Sequence, residues 1–144
     1  MISLPALARA VAGSHWEQGN PADLGYSHVT ADSRAVAPGS LFVAVRGDRT
    51  DGHRYIQQAV ARGAVAIVGT SPLAALEPFA APYLQAPDSR RALAGAAALL
   101  HDYPARKLTS VGVTGTDGKR TTASRLEAIF AAASRDVGHP AGRA

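Results

Sequence analysis

Two short apolar runs, Ser40-Leu-Phe-Val-Ala-Val45 and Ala64-Val-Ala-Ile-Val68, constrain the fold more than anything else in this sequence. Each is nearly continuous in apolar residues, which predicts strands covered on both faces. Between them, His53–Arg62 places Tyr55, Ile56, Ala59 and Val60 on one side of a helix, and Gly63 stands where helices commonly end. Strand, polar loop, helix and strand in about 30 residues is the rhythm of a βαβ unit, and so of a parallel or mixed sheet with helices on its faces.

The flanking segments extend that pattern. Leu4, Leu7, Ala8 and Val11 have helical spacing, with Ser3 as a candidate N-cap and Pro5 in the first turn. Residues 14–25 are polar and contain Gly19, Asn20-Pro21 and Gly25, which predicts mostly loop; Trp16 reads as a lid on the core. Residues 26–31 alternate like a short strand. Residues 71–82 predict a loop with one short helix, and Pro82-Tyr-Leu-Gln85 another strand. Asp88 or Ser89 caps a helix running through Leu93, Ala97 and Leu100 to Tyr103. Pro104-Ala-Arg-Lys107 is polar, basic and led by proline, and marks a domain boundary.

A second pattern follows that boundary. Val111-Gly-Val-Thr-Gly-Thr-Asp-Gly-Lys-Arg-Thr-Thr122 reads as the end of a strand spanning 108–114, a glycine loop, and a helix over 120–134 with Leu126, Ile129 and Phe130 on its apolar side. Glycines let backbone N–H groups close around phosphate oxygens, while the helix start and Lys119 add positive charge. From Gly112 to Gly118 five residues intervene, one more than the common G-x-x-x-x-G-K spacing. Asp117 puts an anion into the loop and is spaced to pair with Arg120. Arg120 stands where such loops place a Mg²⁺-binding hydroxyl. After Ser134 the pattern fades into a frayed tail.

Charge and composition narrow the function. The 144 residues are 47% apolar and 18% charged, with no cysteine, so disulfides and thiolate metal sites are excluded. Net charge is +4, and it is uneven. Residues 1–89 hold six Lys/Arg against seven Asp/Glu, whereas residues 90–144 hold nine against four, which suits an anionic ligand near the glycine loop and, equally, a solvated helix face. No apolar run approaches the ~20 residues of a membrane span, and the N-terminus lacks a signal-peptide pattern; the expected location is cytoplasmic, with no membrane partner.

Asp32-Ser33-Arg34 and Gly47-Asp-Arg-Thr50 both follow strands, where open α/β sheets place ligand loops. Ser33 and Thr50 offer hydroxyls, and Arg34 and Arg49 offer guanidinium forks for phosphate. From chemistry alone, turn formation is the favoured account of these residues. His53 reads as a helix-start residue or a ligand.

Asp32-Ser-Arg-Ala-Val-Ala-Pro-Gly-Ser-Leu-Phe-Val-Ala-Val-Arg-Gly47, Asp51-Gly-His-Arg-Tyr-Ile56, Arg62-Gly-Ala-Val-Ala66 and the loop Val111–Thr122 together resemble the Mur ligase family. The resemblance is nearest to the members that add the third residue, usually meso-diaminopimelate or L-lysine, to UDP-MurNAc-L-Ala-D-Glu. It implies an α/β protein in two parts. Residues 1–104 would be a small N-terminal α/β domain, with a mixed or parallel sheet, that binds the UDP end of the UDP-MurNAc-dipeptide. Residues 105–144 would be the first strand, P-loop and helix of an incomplete ATPase-type domain.

By position, Ala31, Ser33, Asp48, Arg49 and Thr50 would contact the uridine diphosphate. Gly115, Thr116, Asp117, Gly118, Lys119, Arg120 and Thr121 would wrap ATP, with Lys119 on the β- and γ-phosphates. ATP and Mg²⁺ are the implied cofactors. Asp117 replaces the family's usual Asn and Arg120 its usual Thr, which puts the Mg²⁺ site in question. Family enzymes are several-fold longer, so the expected product is a truncated chain without catalysis of its own. The alternatives are a UDP-nucleotide-binding module without chemistry and, ranked below it, a basic domain that binds a polyanion or a protein. No aromatic platform or recognition helix points to nucleic acid.

Overall fold

The central strand β5, Ser40–Val43, is buried along its whole length, as its apolar run predicts. In a computed structural model, which describes residues 1–48, 50–133 and 137, it lies between two parallel neighbours. In chain order the elements before it are β1 (Ile2–Ser3), α1 (Leu4–Ala10), β2 (His15–Gln18), β3 (Gly25–Tyr26) and β4 (His28–Thr30). After it come α2 (Ile56–Ala61), β6 (Ala64–Gly69), β7 (Tyr83–Gln85), α3 (Ser89–Leu100), the short α4 (Pro104–Lys107) and α5 (Lys119–Ala132). Short 3-10 turns occupy Ser33–Ala35, Gly52–Tyr55 and Leu73–Ala75. The main sheet has the order β2-β7-β6-β5-β4; β4 to β7 run parallel and β2 joins the edge antiparallel. β1 and β3 form a separate two-stranded pair.

Side chains alternate across a pleated strand, and here the alternation sorts the core into two halves. Leu41 and Val43, Ala66 and Val68, and Leu84 and Ala86 pack with Leu4, Leu7, Ala92 and Ala96, contributed by α1 and α3. Phe42 and Ala44, Ile67, and Tyr83 pack with Ile56 and Ala59 of α2. The result is a sheet with helices on both faces, the α/β class the sequence predicts. Within the first of these halves lies a buried polar tie: the Tyr26 hydroxyl donates to the Ala96 carbonyl at 2.9 Å, linking β3 to α3.

Three sequence expectations are adjusted. Residues 14–25 are mostly loop, as expected, but they include β2, which pairs with β7, His15 opposite Gln85 and Trp16 opposite Leu84. Its polar composition suits an edge strand, and its side chains bond to the neighbouring loop: Gln18 Nε2 donates to the carbonyls of Phe79 and Ala81. The strand expected over 26–31 is divided between β3 and β4. Ser3 precedes α1 but makes no side-chain cap; it pairs with Gly25 instead. Trp16 does pack against the core from its edge.

The chain separates into two compact units, Met1–Lys107 and Leu108–Ala144. In the second, α5 forms as predicted, starting at Lys119. The strand expected over 108–114 does not, since among the described residues no segment pairs with it. A strand is held by ladder bonds to neighbours, so an isolated segment has nothing to stabilise it. The frayed tail expected after Ser134 lies, but for Val137, outside the described residues.

Removing the Tyr26 tie by Tyr26→Phe is expected to lower unfolding free energy by about 1 kcal/mol, the usual worth of one hydrogen bond. Urea denaturation followed by circular dichroism measures it.

Candidate functional site at the sheet rim

Parallel strands bring their C-terminal ends to one edge, where the loops that follow them form a rim. Three aspartates shape this rim in the same way. Asp32 after β4 accepts from the Arg34 N–H at 2.9 Å. Asp51, in the loop after β5, accepts from the His53 N–H at 3.0 Å. Asp88 after β7 accepts from the N–H groups of Arg90 and Arg91 at 2.8 and 3.1 Å. Each carboxylate satisfies donors that a helical turn leaves open at its start, so the loop after each of these strands passes into a helix or 3-10 turn.

The Ala31–Arg34 segment lies at the end of β4. Ala31 is exposed, whereas Ser33 is buried and its hydroxyl donates to Gln58 Oε1 at 2.7 Å. Arg34 is not an open fork: its Nε and one Nη grip Asp32 at 2.9 and 2.8 Å. That grip, with the Arg34 N–H, holds the Asp32 carboxyl down at about 2.

The loop after β5 is tied into a closed turn. The Gly47 N–H donates to the Thr50 carbonyl at 2.9 Å, and the Gly52 N–H to the Val45 carbonyl at 3.0 Å. The two chain arms touch at Gly52, where a Cβ would lie 2.7 Å from the Val45 nitrogen; only glycine fits. Asp48 and Thr50 are exposed on the turn, and Arg49 lies outside the described residues. The rim therefore brings Ala31, Ser33, Asp48 and Thr50 to one edge of the sheet.

Beneath this turn lies a network that sequence reasoning missed. His53 Nε2 accepts the Thr70 N–H at 3.0 Å and the Ser71 N–H at 3.3 Å, so the ring proton sits on Nδ1 and is donated to Asp51 Oδ1 at 2.5 Å. Arg46 Nε donates to the other Asp51 oxygen at 3.0 Å. His53 is thus neither a free ligand nor only a helix-start residue. Burial raises the Asp51 carboxyl, but the His53 N–H, the His53 ring and Arg46 outweigh it and bring it to about 2. The Asp-Gly-His spacing carried the signal, an aspartate two residues before the N–H it caps. A cleft of about 330 Å³ opens on the far side of His53, walled by Arg54, Gln57 and Glu77. It includes none of Ala31, Ser33, Asp48 or Thr50, so the rim lies outside this cavity.

In the second unit, Gly115 and Gly118 take positive φ angles of 150° and 73°. The first helical bond runs from the Thr122 N–H to the Gly118 carbonyl. Among the described residues, the N–H groups from Gly115 to Thr121 have no protein acceptor, the donor array an anion requires. Lys119 Nζ bonds the carbonyls of Gly115 and Thr116, bracing the loop. Thr116, Asp117, Arg120 and Thr121 are exposed. Asp117 and Arg120 do not form the ion pair their spacing suggests; among the described residues neither has a salt-bridge partner.

Residues 25–103 match the model of the Mur ligase family, catalytic domain. The chain is 40% identical over 138 residues to the UDP-N-acetylmuramoyl-L-alanyl-D-glutamate–2,6-diaminopimelate ligase of Chlorobium phaeobacteroides, a match covering 96% of this chain and 27% of that one. It is 54% identical over 94 residues to a UDP-N-acetylmuramyl-tripeptide synthetase of a Roseiflexus species, covering 65% of this chain and 18% of the relative. Among solved structures it is similar to the UDP-N-acetylmuramoylalanyl-D-glutamyl-2,6-diaminopimelate–D-alanyl-D-alanyl ligase of Acinetobacter baumannii, with a TM-score of 0.70 and 27% identity over 91% of this chain and 28% of that one. The chain thus spans about a quarter or less of the length of these relatives.

Asp51 yields a pH prediction. Its carboxyl is depressed in the folded state, so the native state binds fewer protons than the unfolded one, and the stability it contributes is complete above its ordinary 3.8. That stability is lost as pH falls toward about 2. The wild type should exceed Asp51→Asn in urea midpoint at pH 6, and the gap should narrow as pH falls through that window.

Proposed function

The chain belongs to the Mur ligase family, and from that premise we propose that its first unit holds the uridine diphosphate end of a UDP-MurNAc-peptide. The second unit, in the same reading, holds the phosphates of ATP. Together they serve an ATP-dependent ligase that extends the peptide of a peptidoglycan precursor.

The observation that carries this reading is the rim. Four parallel strands end on one edge, and there the Ala31–Ser33 backbone and the Asp48–Thr50 turn stand on fixed supports. Ala31 and Ser33 offer backbone groups at the end of β4, while Asp48 and Thr50 on the exposed turn contact the diphosphate, with Arg49 assigned there by the family resemblance alone. The Ser33 hydroxyl, bonded to Gln58, positions its segment and leaves its backbone as the contact.

The glycine loop supports the ATP assignment by the chemistry of its donors. Gly115, Thr116, Asp117, Gly118, Lys119, Arg120 and Thr121 present N–H groups with no protein acceptor among the described residues, and Lys119 lies over the loop. Phosphate fits that array. A Mg²⁺ ion held by the residue after the lysine does not, because the Arg120 guanidinium has five donors and no acceptor. When bound, ATP supplies the energy to activate a carboxylate as an acyl phosphate for attack by an amine. The residues of this chain bind and orient phosphate; none of the described ones is assigned a part in bond formation.

Calorimetry of the 144-residue chain with UDP-MurNAc-L-Ala-D-Glu is expected to show saturable binding, without amide formation when ATP and diaminopimelate are added. No heat at millimolar ligand would remove the proposal, and product formation would show that the chain carries the chemistry as well.

A further inference from the structure

The rim contains a cation that neither the turn chemistry nor the resemblance assigns. Arg46 leads into the Gly47–Thr50 turn, and its side chain is 68% exposed. Only its Nε is engaged, by Asp51; among the described residues its two Nη nitrogens donate to no protein acceptor. The outer edge of the guanidinium, the edge that pairs with phosphate oxygens, is open.

The support behind Arg46 is unusually complete. Asp51 is held by the His53 ring and backbone, and His53 by the N–H groups of Thr70 and Ser71 that follow β6. The side chain of His53 is 5% exposed. A chain of hydrogen bonds therefore runs from the buried end of β6 to an exposed guanidinium. An arginine normally loses rotamer freedom when it binds an anion; one already fixed at its Nε edge loses less. Arg90, in the first turn of α3, reaches the Arg46 carbonyl at 3.5 Å and brings a second guanidinium to the same loop.

We infer that Arg46 is a further phosphate-contacting residue of the uridine diphosphate site, and that Asp51 and His53 are positioning residues that aim it. The inference rests on the proposed function, and it adds the residue that discriminates a nucleoside diphosphate from its nucleoside. Asp51 fixes the Nε edge, His53 fixes Asp51, and the Nη edge of Arg46 meets the diphosphate above Gly47.

The test is calorimetry of the 144-residue chain with UDP, UMP and uridine at low salt, for wild type, Arg46→Gln, His53→Gln and the double variant. Gln at 46 can still donate to Asp51 but carries no charge. Arg46→Gln is expected to weaken UDP binding about tenfold or more, as loss of a charge-assisted bond requires, and to leave uridine within about twofold, since the nucleoside lacks that contact. His53→Gln should show the same selective loss of UDP affinity, and the double variant no further loss, because both act through one contact. A purely structural role would lower affinity for UDP and uridine alike, and that result overturns the inference. So does an Arg46→Gln variant that binds UDP as the wild type does. A wild type that binds neither nucleotide would instead defeat the proposed function itself, and the inference with it.

Discussion

The fold depends on one strand being paired on both edges and packed on both faces. β5 takes ladder bonds from β4 and β6, and its alternating side chains enter both halves of the core, Leu41 and Val43 on one side and Phe42 on the other. Shifting its register by one residue would exchange those two sets. Leu41 would then face α2 and Phe42 would face α1 and α3, each in a space shaped for the other. This fixes where β5 ends, and so where the Arg46–Asp51 loop begins. The position of the candidate site is a consequence of core packing, before any polar residue in it is considered.

Polar groups then convert strand ends into a surface. Asp32, Asp51 and Asp88 each cap the turn that follows them, and each also pairs with an arginine: Asp32 with Arg34, Asp51 with Arg46, and Asp88 with Arg91 in a looser ion pair at 3.7 Å. The same carboxylates limit what the arginines can do. Arg34 is gripped through Nε and Nη and has little left to offer an anion, while Arg46 is gripped through Nε alone. Two cations that look alike in the sequence thus differ in availability, and the difference lies in how each is bonded. The glycine loop shows a related division of labour: backbone N–H groups are left without protein acceptors among the described residues, and Lys119 braces the loop through its carbonyls.

Much of this was legible in the residues. The runs at 40–45 and 64–68 predicted the buried parallel strands, because continuous apolarity leaves few other outcomes, and Asp88 announced its helix. β2 was not legible. His15, Glu17 and Gln18 look like loop residues, and only the structure shows Gln18 bonding to Phe79 and Ala81 and Glu17 accepting the Leu73 N–H. The segment 108–114 failed in the opposite direction: its composition suits a strand, but strand formation depends on a neighbour that local sequence does not encode. At the site, Ser33 and the 48–50 turn were visible as strand-end residues. The Arg46–Asp51–His53 network was hidden, because its members acquire their roles from Thr70 and Ser71, distant in sequence.

The central claim is that the C-terminal rim of the parallel sheet is the uridine nucleotide site. Titration of isotopically labelled chain with UDP, followed by backbone amide NMR, tests it most directly. The account predicts that the largest shift changes fall at residues 31–34 and 46–53, with Thr70 and Ser71 responding through His53, and that the amides of α1 stay unchanged. Shift changes confined to the cleft beside Arg54 and Glu77, or to the glycine loop at 115–121, would contradict it.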